Sequence, residues 1–289
     1  TESQDIVLST ERMTQIEEVS ADERTLTVQA GVILQTIQET AAEHGLMFPL
    51  DLGGRGSCTI GGNLATNAGG NRVIRYGMAR DMVLGLETVL ADGTIISSMN
   101  HMIKNNAGFD LKQWFLGTEG TLGIITRTVL RCREEVSEAP TALVAVSSFD
   151  GLIAFLKHMD QGLRGHLSAF EVMWNNFYAL VTTPPAVNQA PLSSEWPYYV
   201  LVEAMGSDED QFSEVLTQAI ETSLVEDAVL AQSSQQQASL WALRDDVAQA
   251  FQFAPVFLFD VSLRMPQMAA YVEAVNTALE ARFEQPRNF

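Results

Sequence analysis

Two groups of residues in this chain could carry chemistry. The first is Leu50 to Gly70, LDLGGRGSCTIGGNLATNAGG, where seven of 21 residues are glycine and Ser57, Thr59, Asn63, Thr66 and Asn67 add short polar side chains. Glycine costs chain entropy but lets a ligand approach the main chain. A run that concentrates this cost suits a surface of backbone N–H groups for a phosphorylated or planar ligand. A long flexible loop is the competing reading, but TIGGNLATNA is apolar and ordered in pattern and reads as a short helix entered through glycine. The second is Arg244. At about 100° per residue, Leu240, Leu243, Val247 and Phe251 define an apolar arc of a helix from Gln235 to Phe251, and Arg244 falls inside it while Asp245 and Asp246 point away. An arginine is rarely buried unless it is paired or holds an anion, and its planar fork suits a carboxylate. A structural ion pair or a snorkelling side chain is the alternative.

Periodicity gives the elements that must position these groups. Asp5 to Ser9 and Gln15 to Val19 read as strands, and TLTVQA (25–30) alternates as a half-buried strand should. Val32 to His44 reads as a helix closed by Gly45. LGLETVLADGTIIS is a hairpin turning at Asp92–Gly93, Asp110 caps a short helix through Phe115, and TLGIITRTVLRC is an apolar strand. EEVSEAP marks a boundary, giving domains 1–135 and 136–289. Beyond it come the strands TALVAVSSF, LSAFEVMW, YYVLVEAM, DAVLAQ and PVFLFDVSL, with helices at 151–163, 208–224, 235–251 and 266–283. Helices packed on one face of such a sheet predict an α+β domain.

At 289 residues the chain is long enough for two domains with their own cores. A net charge of −19 argues against nucleic acid and anionic membrane surfaces. Residues 136–289 hold six basic and 19 acidic side chains, so an anionic ligand of the second domain must use one of very few cations. Lys104, in a turn-forming KNNAGFD context, reads as a solvated loop lysine. Cys58 and Cys132 lack metal-ligand spacing and read as free thiols. His44, His101, His158 and His166 show no metal or triad spacing and read as surface or capping residues, so no metal ligands are assigned. The absence of a bilayer-length apolar run, and a start (TESQDIVLSTERM) unlike a targeting peptide, predict a cytoplasmic protein.

The glycine block, GLETVLADGTII (85–96), KNNAGFDLKQWFLG (104–117) and EGTLGIIT (119–126) follow one another in an order that resembles the flavin-binding domain of the vanillyl-alcohol-oxidase and para-cresol-methylhydroxylase superfamily. Within it the chain is similar to the D-lactate, D-2-hydroxyglutarate and glycolate dehydrogenase group, and the resemblance runs more weakly to the end of the chain. It implies an α+β fold: the second subdomain of a two-subdomain FAD-binding (PCMH-type) domain, then an α+β cap domain for substrate. It assigns FAD contacts to Leu50, Gly53, Ser57, Cys58, Gly61, Gly62, Asn63, Ala65, Thr66, Asn67, Glu119, Gly120, Gly123, Ile124 and Ile125. For Glu119, a structural carboxylate bonded to backbone N–H groups stands beside direct contact. WALRDDV resembles the segment whose arginine holds the substrate carboxylate, which places Arg244 there. Two departures stand out. Dicarboxylate-using members carry a threonine where this chain has Ala248, and a lysine where it has Leu258, two residues before Asp260. Fewer polar partners imply a smaller or less charged substrate.

The resemblance thus implies an FAD-dependent oxidoreductase that takes hydride from C2 of a D-2-hydroxy acid, such as lactate or glycolate, to flavin N5. Electrons would pass to an unidentified quinone, cytochrome or flavoprotein, and a homodimer is compatible. An alditol oxidase, a glycolate oxidase subunit and a flavin-free interaction module are the alternatives. The family also has a glycine-rich pyrophosphate loop, expected ahead of Asp5, and a G-H-x-G-D-G-N-x-H strand, expected after the last helix, that supplies ligands for a divalent metal and the base. On this reading the chain is an internal stretch of a longer enzyme, truncated at both ends, and weak or absent FAD retention is expected.

Overall fold

A computed structural model describes residues 6–284 and 286–289, and the chain divides after Ser137 into two compact units. The first contains β1 (Ile16–Ser20), β2 (Thr25–Gln29), α1 (Leu34–Glu43), β3 (Leu46–Met47), α2 (Ile60–Ala65), α3 (Val73–Tyr76), β4 (Val83–Val89), β5 (Ile95–Ser98), β6 (Ile124–Arg131) and β7 (Arg133–Glu134). Five strands form an antiparallel sheet in the order β1-β2-β6-β4-β5. Leu26 and Val28 of β2 join Leu34, Ile37 and Ala41 of α1 and Ile60 and Leu64 of α2 in one core. Thr25 and Thr27, on the other face, are buried too, so β2 is buried on both sides rather than half-buried. Gly45 closes α1 in the left-handed region at φ +69°, and its N–H donates to Ala42 O at 3.0 Å. The hairpin turns at Asp92–Gly93, where Gly93 has φ +86° and Leu90 N–H donates to Thr94 O at 2.9 Å. Of the expected strand 5–9, Asp5 lies outside the described residues and Ile6 to Ser9 pair with no strand. Asp110 does not cap the turn that follows. Its carboxylate accepts from Lys112 Nζ at 2.6 and 2.7 Å, and Leu111–Trp114 forms only a 3₁₀ turn.

The second unit contains β8 (Thr141–Val146), α4 (Phe149–Leu163), β9 (Leu167–Trp174), α5 (Asn175–Thr182), β10 (Tyr198–Ala204), α6 (Glu209–Glu221), β11 (Asp227–Leu230), α7 (Ser234–Asp245) and α8 (Met265–Glu280). The strands pair antiparallel in the order β11-β8-β10-β9. Ser148 and Asp208 cap α4 and α6 by accepting from Gly151 N–H at 3.1 Å and Asp210 N–H at 2.8 Å. Phe155 and Met159 of α4 and Phe212 and Ala219 of α6 pack with Val144, Val200 and Val202 on one sheet face. Tyr178 and Val181 of α5 and Leu240 and Leu243 of α7 pack with Leu143, Tyr199 and Leu201 on the other. Helices therefore cover both faces, not one.

Two expected elements near the end of the chain are absent as read. The helix to Phe251 breaks at Asp246 (φ −78°, ψ 43°) and continues as a 3₁₀ segment, Val247–Phe253. Aspartate competes with helix by bonding nearby groups. The Asp246 carboxylate accepts from Asn188 Nδ2 and Gln249 Nε2, each at 3.0 Å. Val247 and Phe251 are consequently half-exposed, and the apolar arc ends at Leu243. Pro255 to Leu263 forms no strand, because no neighbour among the described residues pairs with it, and Phe257, Leu258 and Phe259 are exposed.

Candidate functional site

The Leu50–Gly70 block is closed on itself at Asp51. This buried carboxylate accepts from Arg55 Nη1 at 2.7 Å and Asn71 Nδ2 at 3.3 Å and lies 3.7 Å from Arg72 Nη1, while its main-chain O accepts from Asn71 N–H at 3.0 Å. Gly70 sits against that turn at φ +88°, where an added Cβ would lie 2.2 Å from Asp51 O. The chain then enters α2, whose first residues donate to the preceding strand segment: Ile60 N–H to Val32 O at 2.9 Å and Gly61 N–H to Ala30 O at 2.8 Å. A Cβ on Gly61 would lie 2.7 Å from Ala30 Cβ, so glycine here serves helix packing.

Around this frame Gly53, Ser57, Gly62 and Thr66 are exposed, and Cys58, Gly61, Ala65 and Asn67 are half-buried. Leu50 is a core residue, so its side chain cannot line a surface site, and Asn63 is buried. Ser57 and Thr66 donate locally, to Gly54 O at 3.4 Å and Gly62 O at 3.1 Å, and keep only acceptor capacity for a ligand.

The second block hangs from the end of α2. Gly117 N–H donates to Leu64 O at 3.0 Å and Glu119 N–H to Ala65 O at 2.9 Å. Arg80 closes the corner: its N–H donates to Asn67 Oδ1 at 3.0 Å and its Nη2 to Leu116 O at 3.1 Å. Asn67, Gly117, Glu119 and Gly120 all have positive φ, at 49°, 83°, 53° and 78°. Such clustering of left-handed backbone is costly and is retained where a main-chain shape is needed. The Glu119 carboxylate is exposed and accepts no N–H among the described residues, which removes its reading as a structural carboxylate. Ile124 is exposed and Gly120 half-buried, whereas Gly123 and Ile125 are buried, Ile125 in the core.

Three features of this corner fit a flat ligand with a polar edge. Gly53 and Gly54 have open space where a Cβ would sit. Thr59 does not cap α2 with its side chain. Asn63 Oδ1 is buried with no hydrogen-bond partner among the described residues, and such an atom calls for a donor.

In the second unit, Arg244 ends α7 with Nε donating to Glu171 Oε2 at 2.8 Å and Nη1 to Asp245 Oδ1 at 3.3 Å. Nη2 donates to no protein group among the described residues. Burial works against the guanidinium charge, but Glu171 and Asp245 outweigh it, and the group is held above its ordinary range. Glu171 stands opposite Leu201 on the sheet face that α7 covers. One turn earlier on α7, Trp241 Nε1 donates to Glu203 Oε2 at 3.3 Å, and Ser168 Oγ donates to the same carboxylate at 2.8 Å. Glu203 is buried.

Sequence reasoning missed Asp51, Arg80, Glu171 and Glu203. Asp51 and Arg80 leave no signal without the fold. Glu171 and Glu203 could have been found, since each is an acid among apolar neighbours on a strand, the counterpart of an arginine in an apolar arc.

A cavity of about 350 Å³ near the start of α7 is lined by Glu138, Asp208, Glu209, Asp210, Ser233 and Gln237. Its acids disfavour a carboxylate ligand, and it is separate from Arg244. Among the described residues no three His, Cys, Asp or Glu side chains form a metal-ligand group, and no helix is long and apolar enough to cross a membrane.

Residues 1–98 match the FAD binding domain family, and residues 136–286 match the family described as FAD linked oxidases, C-terminal domain. The chain is 39% identical over 279 residues to a D-2-hydroxyglutarate dehydrogenase of Xanthomonas citri pv. viticola, covering 95% of this chain and 58% of that protein. It is 38% identical over 269 residues to the mitochondrial D-2-hydroxyglutarate dehydrogenase of Bos taurus, covering 91% of this chain and 49% of that one. The chain thus spans about half the length of the curated relatives it matches. Among solved structures, 4-ethylphenol oxidase from Gulosibacter chungangensis aligns with TM-score 0.68 at 17% identity, over 94% of this chain and 60% of that one. An alkyldihydroxyacetonephosphate synthase aligns with TM-score 0.69 at 18% identity, over 93% and 55%. These two likenesses show the fold.

Proposed function

The chain belongs to the FAD-linked oxidases, and on that premise we propose that the protein it comes from oxidises a D-2-hydroxy acid to the 2-oxo acid. The observation that carries this reading is Arg244, a half-buried guanidinium held between two acids, whose Nη2 donates to no protein group among the described residues. Such a group binds a carboxylate and fixes the carbon next to it, and fixed placement lowers a barrier by several kcal/mol. FAD, when bound, supplies the two-electron acceptor. The exposed main chain at Gly53 and Gly62 and the half-buried main chain at Gly120, with Ser57, Thr66 and Asn67, would hold it, and Asn63 Oδ1 would accept from its polar edge. Leu50, Cys58, Gly61, Ala65, Gly123 and Ile125 would shape this surface from below, and the exposed Glu119 and Ile124 would contact FAD directly.

A monocarboxylate such as lactate or glycolate is the preferred substrate. Arg244 is already flanked by Glu171 and Asp245, and Ala248 and Leu258 stand where dicarboxylate-using members place polar partners. The test is a dye-linked assay of the full-length flavoprotein on D- and L-2-hydroxy acids, D-lactate and D-2-hydroxyglutarate among them. R244A should lower kcat/KM by roughly 10- to 150-fold, the loss of a charge-assisted bond worth about 1.5–3 kcal/mol. Unchanged turnover in R244A removes the anchor, and higher kcat/KM on D-2-hydroxyglutarate than on D-lactate removes the monocarboxylate preference.

A further inference from the structure

Arg244 can meet a carboxylate end-on only if something turns its fork. The side chain has several rotatable bonds and sits at the last turn of α7, next to the break at Asp246. Left alone it would sample many rotamers, and ordering it on binding would cost affinity. The contact from Nε to Glu171 Oε2, at 2.8 Å, comes from a strand rather than from the helix itself. β9 is held in register against β10, with Glu171 opposite Leu201 and Met173 opposite Tyr199. Trp241, three residues before Arg244, is fixed in turn to the buried Glu203. Residues three apart share a helix face, so two sheet carboxylates pin one face of α7 at two points. With Nε occupied, an Nη2 that meets no protein group among the described residues and the long, weak Nη1 contact at 3.3 Å leave the end of the fork as the edge a substrate carboxylate can take.

We propose that Glu171 is a positioning residue: it holds the Nε edge of Arg244 so that the Nη end presents to the substrate carboxylate. This rests on the reading of Arg244 as the carboxylate anchor. What matters in Glu171 is reach and an acceptor oxygen, not its charge. In the full-length flavoprotein, E171D withdraws the acceptor by one methylene and should raise KM for the preferred 2-hydroxy acid about tenfold, the worth of one charge-assisted bond. E171Q keeps an oxygen at the same reach and should hold KM within about threefold. In an R244A background, E171D should change KM less than about twofold, because residues acting through one another are not additive. Thermal midpoint and bound flavin are read on each variant.

Parent-like kinetics in E171D, a tenfold KM rise in E171Q, or a full E171D penalty in the R244A background each overturns the assignment. If E171D does not fold, E171A, which removes the acceptor, takes its place with the same tenfold expectation, and a parent-like KM in E171A overturns the assignment. Unchanged KM in R244A by itself fails the anchoring reading, whereas an impaired R244A with a silent E171D fails only the role of Glu171.

Discussion

The glycine-rich corner of the first unit and the arginine face of the second are held by different materials. In the first, much of the shape is fixed through main chain, with Gly61 N–H to Ala30 O, Gly117 N–H to Leu64 O and Glu119 N–H to Ala65 O, and the side chains of Asp51 and Arg80 close its ends. In the second they run through side chains: Arg244 to Glu171, Trp241 to Glu203, and Tyr178 stacked on Tyr199 with ring centroids 3.7 Å apart. A surface made of main chain offers many N–H and C=O groups to a large ligand and depends little on which side chains surround it, but a single added Cβ can spoil it. A surface made of side chains tolerates backbone adjustment and fails when one functional group is removed or changes its protonation.

Adding a methyl group at Gly70 is the harshest test of this contrast. A Cβ there meets Asp51 O at 2.2 Å on a backbone at φ +88°. G70A should destabilise the first unit by about 3 kcal/mol or more, read by denaturant unfolding. The second unit should break by loss of a proton instead. Burial pushes the Tyr178 hydroxyl up to about 12, and that hydroxyl donates to Leu192 O at 2.9 Å. Its folded value lies above the ordinary tyrosine value of about 10, so its contribution is complete below that pH and is lost as pH rises through the folded value. Alkaline titration should therefore remove up to roughly 3 kcal/mol from this unit, and Y178F should flatten that limb.

Gly53 sharpens the comparison at smaller cost, because a Cβ there meets nothing within 4 Å. G53A should leave unfolding unchanged within about 0.5 kcal/mol while weakening FAD affinity of the full-length protein about tenfold, as lost close approach to the main chain predicts. Undiminished affinity would take Gly53 out of the site. The smallest effect concerns the ion pairs of the first unit. Arg127, hydrogen-bonded to Glu17 with Nε to Oε2 at 2.9 Å, holds that carboxyl below its usual range. The stabilisation is present above the ordinary glutamate value and fades as pH falls through the lowered one. E17Q should cost about 0.5 kcal/mol at neutral pH and less in acid.

Much of the fold was legible wherever pattern and cap agree. β9 runs from Leu167 to Trp174 as read, Gly45 ends α1 and Asp208 starts α6, whereas Ser148, read as part of a strand, instead caps α4. Legibility failed where the deciding partner is distant in sequence. Asp246 breaks α7 in part through Asn188, 58 residues away. Pro255–Leu263 has the composition of a strand, but a strand exists only by pairing. At the candidate site, Arg244 was singled out from an apolar arc, although two of the four residues that defined the arc, Val247 and Phe251, prove exposed beyond the break. The acid that meets it lies 73 residues earlier in the chain, and only the packing of α7 on the sheet brings the two together. The glycines were visible as a group, but their duties were not. Gly61 and Gly70 prove to be packing and turn residues, while Gly53 and Gly54 are open.

The two thiols differ in a way that has a practical use. Cys132 is buried in the core, which pushes its thiol up to about 12 and keeps it protonated and inert, whereas Cys58 is half-buried within the glycine block. A maleimide dye applied at neutral pH will partition to Cys58, because thiolate and access govern the reaction. The chain thus carries a single-site handle beside the surface whose occupancy is of interest, and fluorescence from that position can follow ligand arrival without an engineered cysteine.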